Sequence, residues 1–406
     1  MRTLMITKVK NEADIIEFFL RYHSNIFDCI VVIDNGSLDG TYEIVNKLIE
    51  EGLNIELINE AHNDFDAFRL ANQYTVDLIE KYDAEYVIYM DADELLITQE
   101  GKQPIGCFSN FDCNKVHIFK WRTYIYTGQD IEMFSLEHYQ KYRKDEEETF
   151  KKIMVPSKLI KDKLVVVSAG NHSVSSPYDI EEEYHEELKF AHFPVRSMHQ
   201  RKKQITLNML DMMANPNVSL HTGSHWKKMY KFDEIDLVEE SIHYAFYEGD
   251  KIVEGGLHIE NMKNKYFNLI RTDLERILIE HSEIQALKIK KNRMKTNVNH
   301  LQSIVVWGTG KYADLMVDRI DDSFFIELYV DSNIDKCFSV FHDRMVISPE
   351  KLRFFSFSKI IIATPQNEKE IREQIKQILP SWDKEKIYSI DTFVVNGYRN
   401  KLLNNY

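Results

Sequence analysis

Short apolar runs alternate with amphipathic segments along the first hundred residues of the chain. Four runs are brief and rich in β-branched or aromatic residues, which is typical of buried strands: Leu4 to Val9, Cys29 to Ile33, Ile55 to Ile58 and Tyr86 to Met90. The stretches between them, such as residues 12–23, carry apolar side chains at helical spacing. Strands that alternate with helices predict right-handed β-α-β units and a parallel sheet.

The pattern changes after this region. Residues 105–200 mix β-like pieces with an acidic run, residues 231–300 have mainly helical spacing, and the β-α alternation restarts at Ile304. The expected fold class is therefore α/β, with two sheets separated by a helical connector. We predict a first domain over residues 1–230, the connector over 231–300 and a second domain over 301–406.

Composition and charge narrow the class of protein. The chain has 406 residues, which is long for a single core, and its 44% hydrophobic and 29% charged content is typical of a globular protein. A net charge of -14 argues against a nucleic-acid partner held by phosphate contacts alone. We find neither an apolar run near the ~20 residues of a membrane span nor the pattern of a signal peptide. The four scattered cysteines are interpreted as reduced, so a cytoplasmic protein is expected.

Two carboxylates follow the last predicted strand of the first domain. The segment 91–94 reads Asp-Ala-Asp-Glu and comes directly after Met90. Asp91 and Asp93, one residue apart, can meet one divalent cation, and Mg²⁺ or Mn²⁺ bridging carboxylate and phosphate oxygens neutralises a diphosphate leaving group. An isolated Asp-x-Asp occurs by chance in many acidic proteins, so its position after a buried strand is the informative feature.

A second polar segment follows the second predicted strand. Residues 34–41 read Asp-Asn-Gly-Ser-Leu-Asp-Gly-Thr, in which Asp34 can accept hydrogen bonds from a base or ribose and Ser37 or Asp39 can cap the next helix. Taken alone, the segment is more simply a turn followed by a helix cap. Because ligands of parallel sheets bind beyond the carboxyl ends of the strands, Asp34 and Asp91 are expected at the same edge.

Two histidines lie further along in unusual settings. His192 is part of Ala-His-Phe-Pro-Val-Arg-Ser at 191–197, and His172 follows a β-like piece that ends at Val167. An imidazole is a suitable additional metal ligand, so each histidine is a candidate, although a purely structural histidine explains either one equally well. Arg196 is a candidate phosphate clamp, because a guanidinium forks onto phosphate oxygens.

Three motifs in this order resemble the donor half of family-2-type glycosyltransferases with the GT-A fold. They are Lys10-Asn11-Glu12, the segment 34–41 and the segment 91–94. The form with Lys-Asn-Glu and Asp-x-Asp-Glu is most similar to the subgroup related to family-92 enzymes. The resemblance covers roughly residues 3–200, and His-Phe-Pro-x-Arg-Ser resembles the closing motif of the subgroup.

The resemblance implies roles for individual residues. Donor binding would fall to Thr7, Lys10, Asn11, Glu12, Asp34, Asn35, Arg69, Asn72, Asp91, Ala92 and Arg196. The ligands of a Mn²⁺ or Mg²⁺ ion would be Asp91, Asp93 and a histidine, either His192 or His172. The family inverts by means of a carboxylate base, but its usual Glu-Asp pair is not evident here. The residues expected to act in catalysis are Asp93 and one of Asp130, Glu132, Glu147 and Glu148, with Asp130 and Glu148 preferred by position.

The second domain opens with a glycine turn. Residues 304–307 run into Gly308-Thr-Gly310 and a predicted helix, and Asp331 follows a second strand. This is a variant of the G-x-G-x-x-A dinucleotide fingerprint, in which the second glycine lets a phosphate approach the helix. The segment resembles the small Rossmann-like domains attached to sugar-modifying and polysaccharide-assembly proteins. A structural or oligomerisation role, nucleotide binding at Gly308, Gly310 and Asp331, and a redox function all stay open.

These features predict a metal-dependent glycosyltransferase that moves a sugar from a nucleotide-sugar donor, expected to be a UDP-sugar, to a glycan or lipid-linked acceptor. Inversion and a place in bacterial surface polysaccharide biosynthesis follow from the resemblance. A nucleotidyltransferase is one alternative, but residues 7–14 lack the glycine-rich loop it needs. A nucleotide-binding scaffold is another, against which the intact Asp91, Asp93 and His192 argue. Basic stretches leave contact with the inner face of the membrane open, and a homo-oligomer is open too.

Overall fold

The structure, a computed structural model, divides the chain into two compact units. Residues 1–58 with 64–281 form the first unit, and residues 59–63 with 282–406 form the second. The described residues are 2–60, 72–128, 134–144, 151–168, 170–214, 236–244, 251–260, 262, 264–274, 276–282, 284, 302–317, 320, 324–337, 339–342 and 344–390, with the side chains of 209–214 and 315–317 left out.

The first unit combines strands and helices. Its strands β1 to β12 are Thr3–Val9, Cys29–Asp34, Ile55–Asn59, Tyr86–Asp91, Glu94–Thr98, Lys115–Ile125, Lys141–Arg143, Lys151–Pro156, Val166–Val167, Val174–Ser175, Glu181–His192 and Ile252–Glu254. Its helices α1 to α6 are Ile16–His23, Thr41–Glu50, Thr75–Tyr82, Ser157–Asp162, Met198–Ala214 and Leu237–Ile242. Short 3-10 helices lie at Leu136–His138 and Phe267–Leu269.

The main sheet of the first unit is built around β1. Its strand order is β12-β7-β6-β8-β4-β1-β2-β3, and β1 runs parallel to both β2 and β4. Strand β8 is antiparallel to β4 and β6, while β11 pairs in parallel with β6 and antiparallel with β5. The carboxyl ends of β1, β2 and β4 therefore meet at one edge of the sheet, which is where ligands of such sheets bind.

Alternate side chains of the central strands pack into two separate cores. On β1, Met5 and Val9 belong to one core, while Leu4 and Ile6 belong to the other. A strand covered on both faces needs apolar residues at nearly every position, which is why these strands read as continuous apolar runs. By the same alternation, Thr7 lies on the face of Met5 and Val9.

The second unit has six strands and two helices. Strands β13 to β18 are Gln302–Trp307, Phe324–Val330, Val340–Phe341, Arg344–Ile347, Lys359–Ile362 and Ile387–Ser389, and helices α7 and α8 are Lys311–Val317 and Glu368–Ile378. The strands form one sheet in the order β15-β16-β14-β13-β17-β18. Short 3-10 helices lie at Ile334–Lys336, Pro349–Phe354, Pro365–Asn367 and Lys384–Lys386. All neighbouring strands run parallel except the short pair β15 and β16.

The predicted α/β class is confirmed, and β1 to β4 agree with the four predicted strands to within one residue at each end. The compact units draw the boundary differently from the predicted domains. Residues 231–281 belong to the first unit, and their described part contains α6, β12, a 3-10 helix and further helical residues at 274 and 276–281. The helical connector over 231–300 stays a prediction. Among the described helices, none is long and apolar enough to cross a membrane.

Candidate active site

The loops that follow β1 and β2 are tied together by hydrogen bonds. The Asn11 backbone N–H donates to the Ser37 hydroxyl at 2.9 Å, and the Asn11 side-chain oxygen accepts from the Leu38 N–H at 2.7 Å. Asn11 has a φ of 60°, in the left-handed region that asparagine tolerates better than most residues. The two predicted donor-binding segments therefore form one hydrogen-bonded rim, and Asn11 is one of the residues that hold it.

The turn between β2 and α2 uses the two aspartates of the second motif. The buried Asp34 carboxylate accepts from two backbone N–H groups of the turn, each at 3.1 Å. Asp39 accepts from the Lys203 ammonium on α5 at 2.5 Å. The cap position is Gly40, with a φ of 104°, and an added Cβ would lie 2.1 Å from a backbone oxygen of Leu269. Helix α2 thus begins after a glycine that the turn requires, and Asp39 Oδ1 accepts from the Thr41 N–H, the first of the helix, at 3.2 Å.

Thr7 lies in the middle of the sheet, between Val32 of β2 and Met90 of β4. Its side chain is buried, and its hydroxyl has no hydrogen-bond partner among the described residues. A buried polar group without a partner costs about 1–3 kcal/mol, so such groups in proteins call for a specific explanation. A ligand that reaches this hydroxyl would supply one.

Asp93 and His192 are brought together by an antiparallel strand pair. Strand β5 pairs with β11 so that Glu94 faces His192, and the Phe193 N–H donates to the Asp93 carbonyl at 2.8 Å. His192 Nε2 then lies 3.6 Å from Asp93 Oδ2. The Trp121 ring stacks on the imidazole with 4.0 Å between the ring centroids, which restricts its orientation.

The environment of Asp93 favours the ionised carboxylate. Burial acts to raise the pKa of Asp93, but the nearby His192 and Arg196 together outweigh burial and hold that pKa below its usual range. Within the described residues, Asp91, Asp93, His192 and His172 do not form a set of three ligands within 4.8 Å of one another. Asp93 and His192 are the adjacent pair.

Lys152 is a residue of the site that sequence reasoning missed. Its ammonium lies 2.8 Å from Asp91 Oδ2, 2.9 Å from Glu94 Oε1 and 2.9 Å from the Gly170 carbonyl, and its side chain is only 1% exposed. Lys152 belongs to β8, where Met154 lies on the same face and belongs to the core. In the sequence, the feature that could have indicated this residue is a lysine at a core-facing position of a strand.

The Lys152 ammonium thus contacts two carboxylates, those of Asp91 and Glu94. Burial acts to lower the pKa of Lys152, but Asp91 and Glu94 outweigh burial and raise it above the ordinary value. Burial, together with the charges of Asp91 and Asp93, raises the pKa of Glu94 to about 8, despite the ion pair with Lys152. Because Asp91 competes for the same ammonium, Glu94 takes up a proton more readily than an ordinary glutamate.

The raised pKa of Glu94 predicts a pH dependence of stability. A folded-state pKa of about 8 against an ordinary 4.5 means that stability present below about pH 4.5 is lost as the pH rises through about 8. The free energy of unfolding of the wild type, minus that of Glu94→Gln, should therefore fall between pH 5 and 8 in urea titrations. Glu80→Gln, at an exposed position of α3, is the control and should show a constant difference. A difference for Glu94→Gln that rises with pH would contradict this assignment.

Arg196 is fully enclosed by acidic groups. Its Nε donates to Asp14 Oδ2 at 2.6 Å, its Nη1 to the Phe193 carbonyl at 3.2 Å, and its Nη2 to Glu12. The same Nη1 lies 3.7 Å from Asp93 Oδ2. These contacts hold the rim and the loop of Asp93 in place. To act as the predicted phosphate clamp, Arg196 would have to give up its bonds to Asp14 and Glu12.

Other predicted donor and metal residues also have protein partners. The Asn72 side chain exchanges two hydrogen bonds with the Val167 backbone, at 2.9 and 3.0 Å, which fastens the segment before α3 to β9. His172 Nδ1 lies 2.9 Å from the Lys151 carbonyl. The Asn35 N–H donates to the Val9 carbonyl, and Ala92 is buried. A small cleft is lined by Lys10, Asn11, Glu12, Gln200, Gln204, Leu207 and Asn208.

Several predicted site residues lie outside the described residues. They are Arg69 among the donor-binding set, and Asp130, Glu132, Glu147 and Glu148 among the candidate bases. Their roles stay predictions.

In the second unit, the glycine turn is hydrogen-bonded to Asp331, the acidic residue of the predicted dinucleotide-binding motif. Gly308 has a φ of 110°, and an added Cβ would lie 2.5 Å from the Thr364 hydroxyl, so glycine is required there. The Asp331 carboxylate accepts from the Thr309 N–H at 3.2 Å and from the Thr309 hydroxyl, and Lys336 Nζ lies 3.4 Å away. Among the described residues, apart from its two chain neighbours, no atom lies within 4 Å of a Cβ built on Gly310. The acid thus serves the turn itself, and nucleotide binding here stays a prediction.

Comparisons with known proteins give one family match and several solved structures. Residues 300–388 match the family described as C2185-like, N-terminal. No curated protein matches the chain.

The similar solved structures include TarS 1-349 of S. aureus in complex with UDP, with 12% identity, a TM-score of 0.30, and coverage of 60% of this chain and 73% of that one. Mannosyltransferase PcManGT from Pyrobaculum calidifontis, in complex with GDP-Man and Mn²⁺, has 16% identity, a TM-score of 0.31, and coverage of 60% and 70%. The glycosyltransferase GlyE of Streptococcus pneumoniae TIGR4, in the apo form, has 9% identity, a TM-score of 0.24, and coverage of 98% and 99%. At such low values, function has to be argued from the geometry of this chain.

Proposed function

We propose that this chain is a glycosyltransferase that takes its sugar from a nucleotide-sugar donor and depends on a divalent metal ion. The observation that carries the proposal is the adjacency of Asp93 and His192 beyond the end of β4, with 3.6 Å between Oδ2 and Nε2. The edge formed by β1, β2 and β4 also carries Asp34 and Asp91, on two neighbours of the central strand. A nucleotide diphosphate needs polar groups at such an edge.

The Asp93 and His192 pair fits a divalent cation. Two ligand atoms that share one ion, each about 2.0–2.2 Å from it, lie about 3–4 Å apart, which includes the observed separation. An ion at this pair would take the place of the Nε2 proton that faces Asp93. His192 could then keep its other proton on Nδ1, which lies 3.1 Å from the Thr123 hydroxyl, an available acceptor. Mg²⁺ and Mn²⁺ are commonly held by one or two protein groups together with substrate phosphates.

The ion, when bound, would neutralise the charge that develops on the departing diphosphate. Residues around this position favour the binding of a cation. His192 and Arg196 keep Asp93 ionised, and Lys152 holds Asp91 at the same edge. Thr7 offers a buried hydroxyl on the central strand that a nucleoside could reach.

The finer parts of the proposal rest on the resemblance of the motifs. They are uridine as the nucleoside, Mn²⁺ or Mg²⁺ as the ion, a glycan or lipid-linked acceptor, inversion with Asp130 or Glu148 as base, and a place in surface polysaccharide biosynthesis. The second unit would then have a structural, oligomerisation or nucleotide-binding role.

A thermal-shift panel on the full chain tests the proposal. UDP, GDP and CDP are each added with Mn²⁺, with Mg²⁺ and with chelator. At about 100 times its Kd, a nucleotide contributes about 2.7 kcal/mol, so one of the three should raise Tm by about 5 °C when metal is present and little without it. If none of them shifts Tm with either metal, the proposal is wrong.

Two isosteric variants locate the binding site within that panel. Thr7→Val removes the buried hydroxyl, so the affinity for the nucleotide should fall roughly 3- to 10-fold while Tm without ligand stays the same or rises. Thr3→Val is the matched control on the same strand, because the Thr3 hydroxyl already bonds Asp28 at 2.9 Å. It should lower Tm and leave nucleotide affinity unchanged.

A further inference from the structure

A second group of metal-ligating side chains lies on the strand pair β6 and β11. His117 belongs to β6, while Glu183 and His185 belong to β11. The register pairs His117 with Glu183 and Phe119 with His185. Because alternate residues of a strand share a face, the three side chains project from the same face of the pair.

The ligand atoms of this group are close together. His117 Nδ1 lies 2.9 Å from His185 Nε2 and 3.5 Å from Glu183 Oε2, and one ligand atom from each of the three lies within 4.8 Å of the others. Among the residues that the structure describes, no other three His, Cys, Asp or Glu side chains bring their ligand atoms this close together. The outer nitrogens face acceptors: His117 Nε2 lies 3.1 Å from the Asp112 carbonyl, and His185 Nδ1 lies 3.1 Å from Glu187 Oε1.

The hydrogen bonds around His117 and His185 need one more proton than two neutral imidazoles supply. Three contacts run in series: from the Asp112 carbonyl to His117, from His117 to His185, and from His185 to the Glu187 carboxylate. Each needs one proton, because a carbonyl and a carboxylate only accept. Two neutral imidazoles bring two protons. If both outer contacts are hydrogen bonds, two nitrogen lone pairs face each other at 2.9 Å.

A positive charge between the two lone pairs resolves this conflict. A third proton, which would make one of the rings an imidazolium, is one such charge, and a metal ion is another. A metal ion uses both lone pairs and also the adjacent Glu183 carboxylate. The outer bonds to Asp112 and Glu187 are then the contacts that orient metal-bound histidines in proteins.

We propose that His117, Glu183 and His185 bind a Zn²⁺ ion. Two imidazoles and one carboxylate are a donor set that zinc accepts, and three protein ligands leave one position open. The Glu183 side chain is 38% exposed, so solvent can reach that position. The Phe111 ring stacks on both imidazoles, with 4.2 Å between the ring centroids in each case, which holds the ligands in place.

The zinc site has a structural consequence for the candidate active site. Between His185 and Lys189, the register of β11 against β6 shifts, so the strand pair is irregular there. The ion would fasten the pair on one side of this irregularity, while Thr123 and His192 lie on the other side. His117 and Thr123 are six residues apart on β6, about 20 Å along the strand, so the two sites are separate.

Zinc titration of the full chain tests this site. The protein is stripped with chelator and titrated with Zn²⁺ alone against a chromophoric chelator, in an Asp93→Asn background that removes the other candidate ligand set. One equivalent should bind, and His185→Gln and Glu183→Gln should each weaken binding by roughly 10- to 100-fold or more. Zn²⁺ should also raise Tm in the background protein and not in the two variants.

Controls separate a lost site from a lost fold. Glu183 is half-exposed, so Glu183→Gln is the variant that should keep its native circular dichroism spectrum even if His185→Gln does not. His243→Gln, at an exposed histidine on the end of α6, is the matched control and should bind Zn²⁺ like the background protein. The proposal is overturned if the background protein takes up no Zn²⁺, which would leave a third proton as the explanation. It is equally overturned if folded Glu183→Gln binds with unchanged affinity.

Discussion

Asp93→Asn is expected to reduce sugar transfer or donor hydrolysis by at least ~10³-fold and to abolish metal-dependent nucleotide binding. Asparagine keeps the shape of the side chain but removes the charge that His192 and Arg196 hold in place beside the candidate ion site. Several kcal/mol of charge stabilisation would be lost with that ligand. Nucleoside diphosphate release and binding isotherms with and without Mn²⁺ measure the two effects.

The matched control for this variant is Asp77→Asn, at an exposed position of α3, which should behave like the wild type in both assays. Asp91→Asn should have a smaller effect on binding than Asp93→Asn, because one oxygen of Asp91 is engaged by Lys152. Retention of Mn²⁺-dependent nucleotide affinity by folded Asp93→Asn would refute the assignment of this residue.

Arg196→Met is expected to lower the free energy of unfolding of the first unit by about 3–5 kcal/mol. Removing the guanidinium leaves Asp14 and Glu12 buried without their compensating charge. Burial already raises the pKa of Glu12 to about 8 although Arg196 acts to lower it, so the loss of this partner is costly. Calorimetry of the full chain measures the effect as a lower unfolding temperature of one transition.

Two further variants identify the cause of that destabilisation. Arg276→Met removes an arginine that is 72% exposed and paired with Glu280, and it should cost less than about 1 kcal/mol. Adding Asp14→Asn to Arg196→Met should recover part of the stability, since it removes one of the uncompensated charges. A cost for Arg196→Met as small as that for Arg276→Met would show that the buried ion pairs do not stabilise this region.

The central sheet could be predicted well because its signal is local. Leu4 to Val9 and Tyr86 to Met90 are short, continuous apolar runs, and a strand buried on both faces requires such runs. The polar residues that directly follow these runs lie at the carboxyl edge of the sheet, because that is where the buried strands end. By contrast, the amphipathic spacing of the segment 231–300 predicts a helical connector, and its described part holds a short helix, a strand and helical residues at 274, 276–282 and 284.

Partners within the site were harder to predict. Arg196 was expected to face phosphate, yet in the structure it bonds Asp14, 182 residues away in sequence. The contacts of Lys152 were not predicted, because its neighbours Lys151 and Ile153 do not indicate which carboxylates lie opposite it in the sheet. The group of His117, Glu183 and His185 was overlooked too, since its ligands come from two strands that pair in parallel across about 70 residues of chain.

The sequence by itself determined the α/β class, the strands β1 to β4 and the place of Asp34, Asp91 and Asp93 at strand ends, because burial on both faces and turn chemistry are recorded in neighbouring residues. Only the tertiary structure decided that His192 lies beside Asp93, that Lys152 contacts both Asp91 and Glu94, and that Arg196 bonds Asp14 and Glu12. Those contacts depend on how distant strands pair. In a sheet, a shift of one residue in register would turn strand side chains such as those of Glu94, Lys152 and His192 to the opposite face.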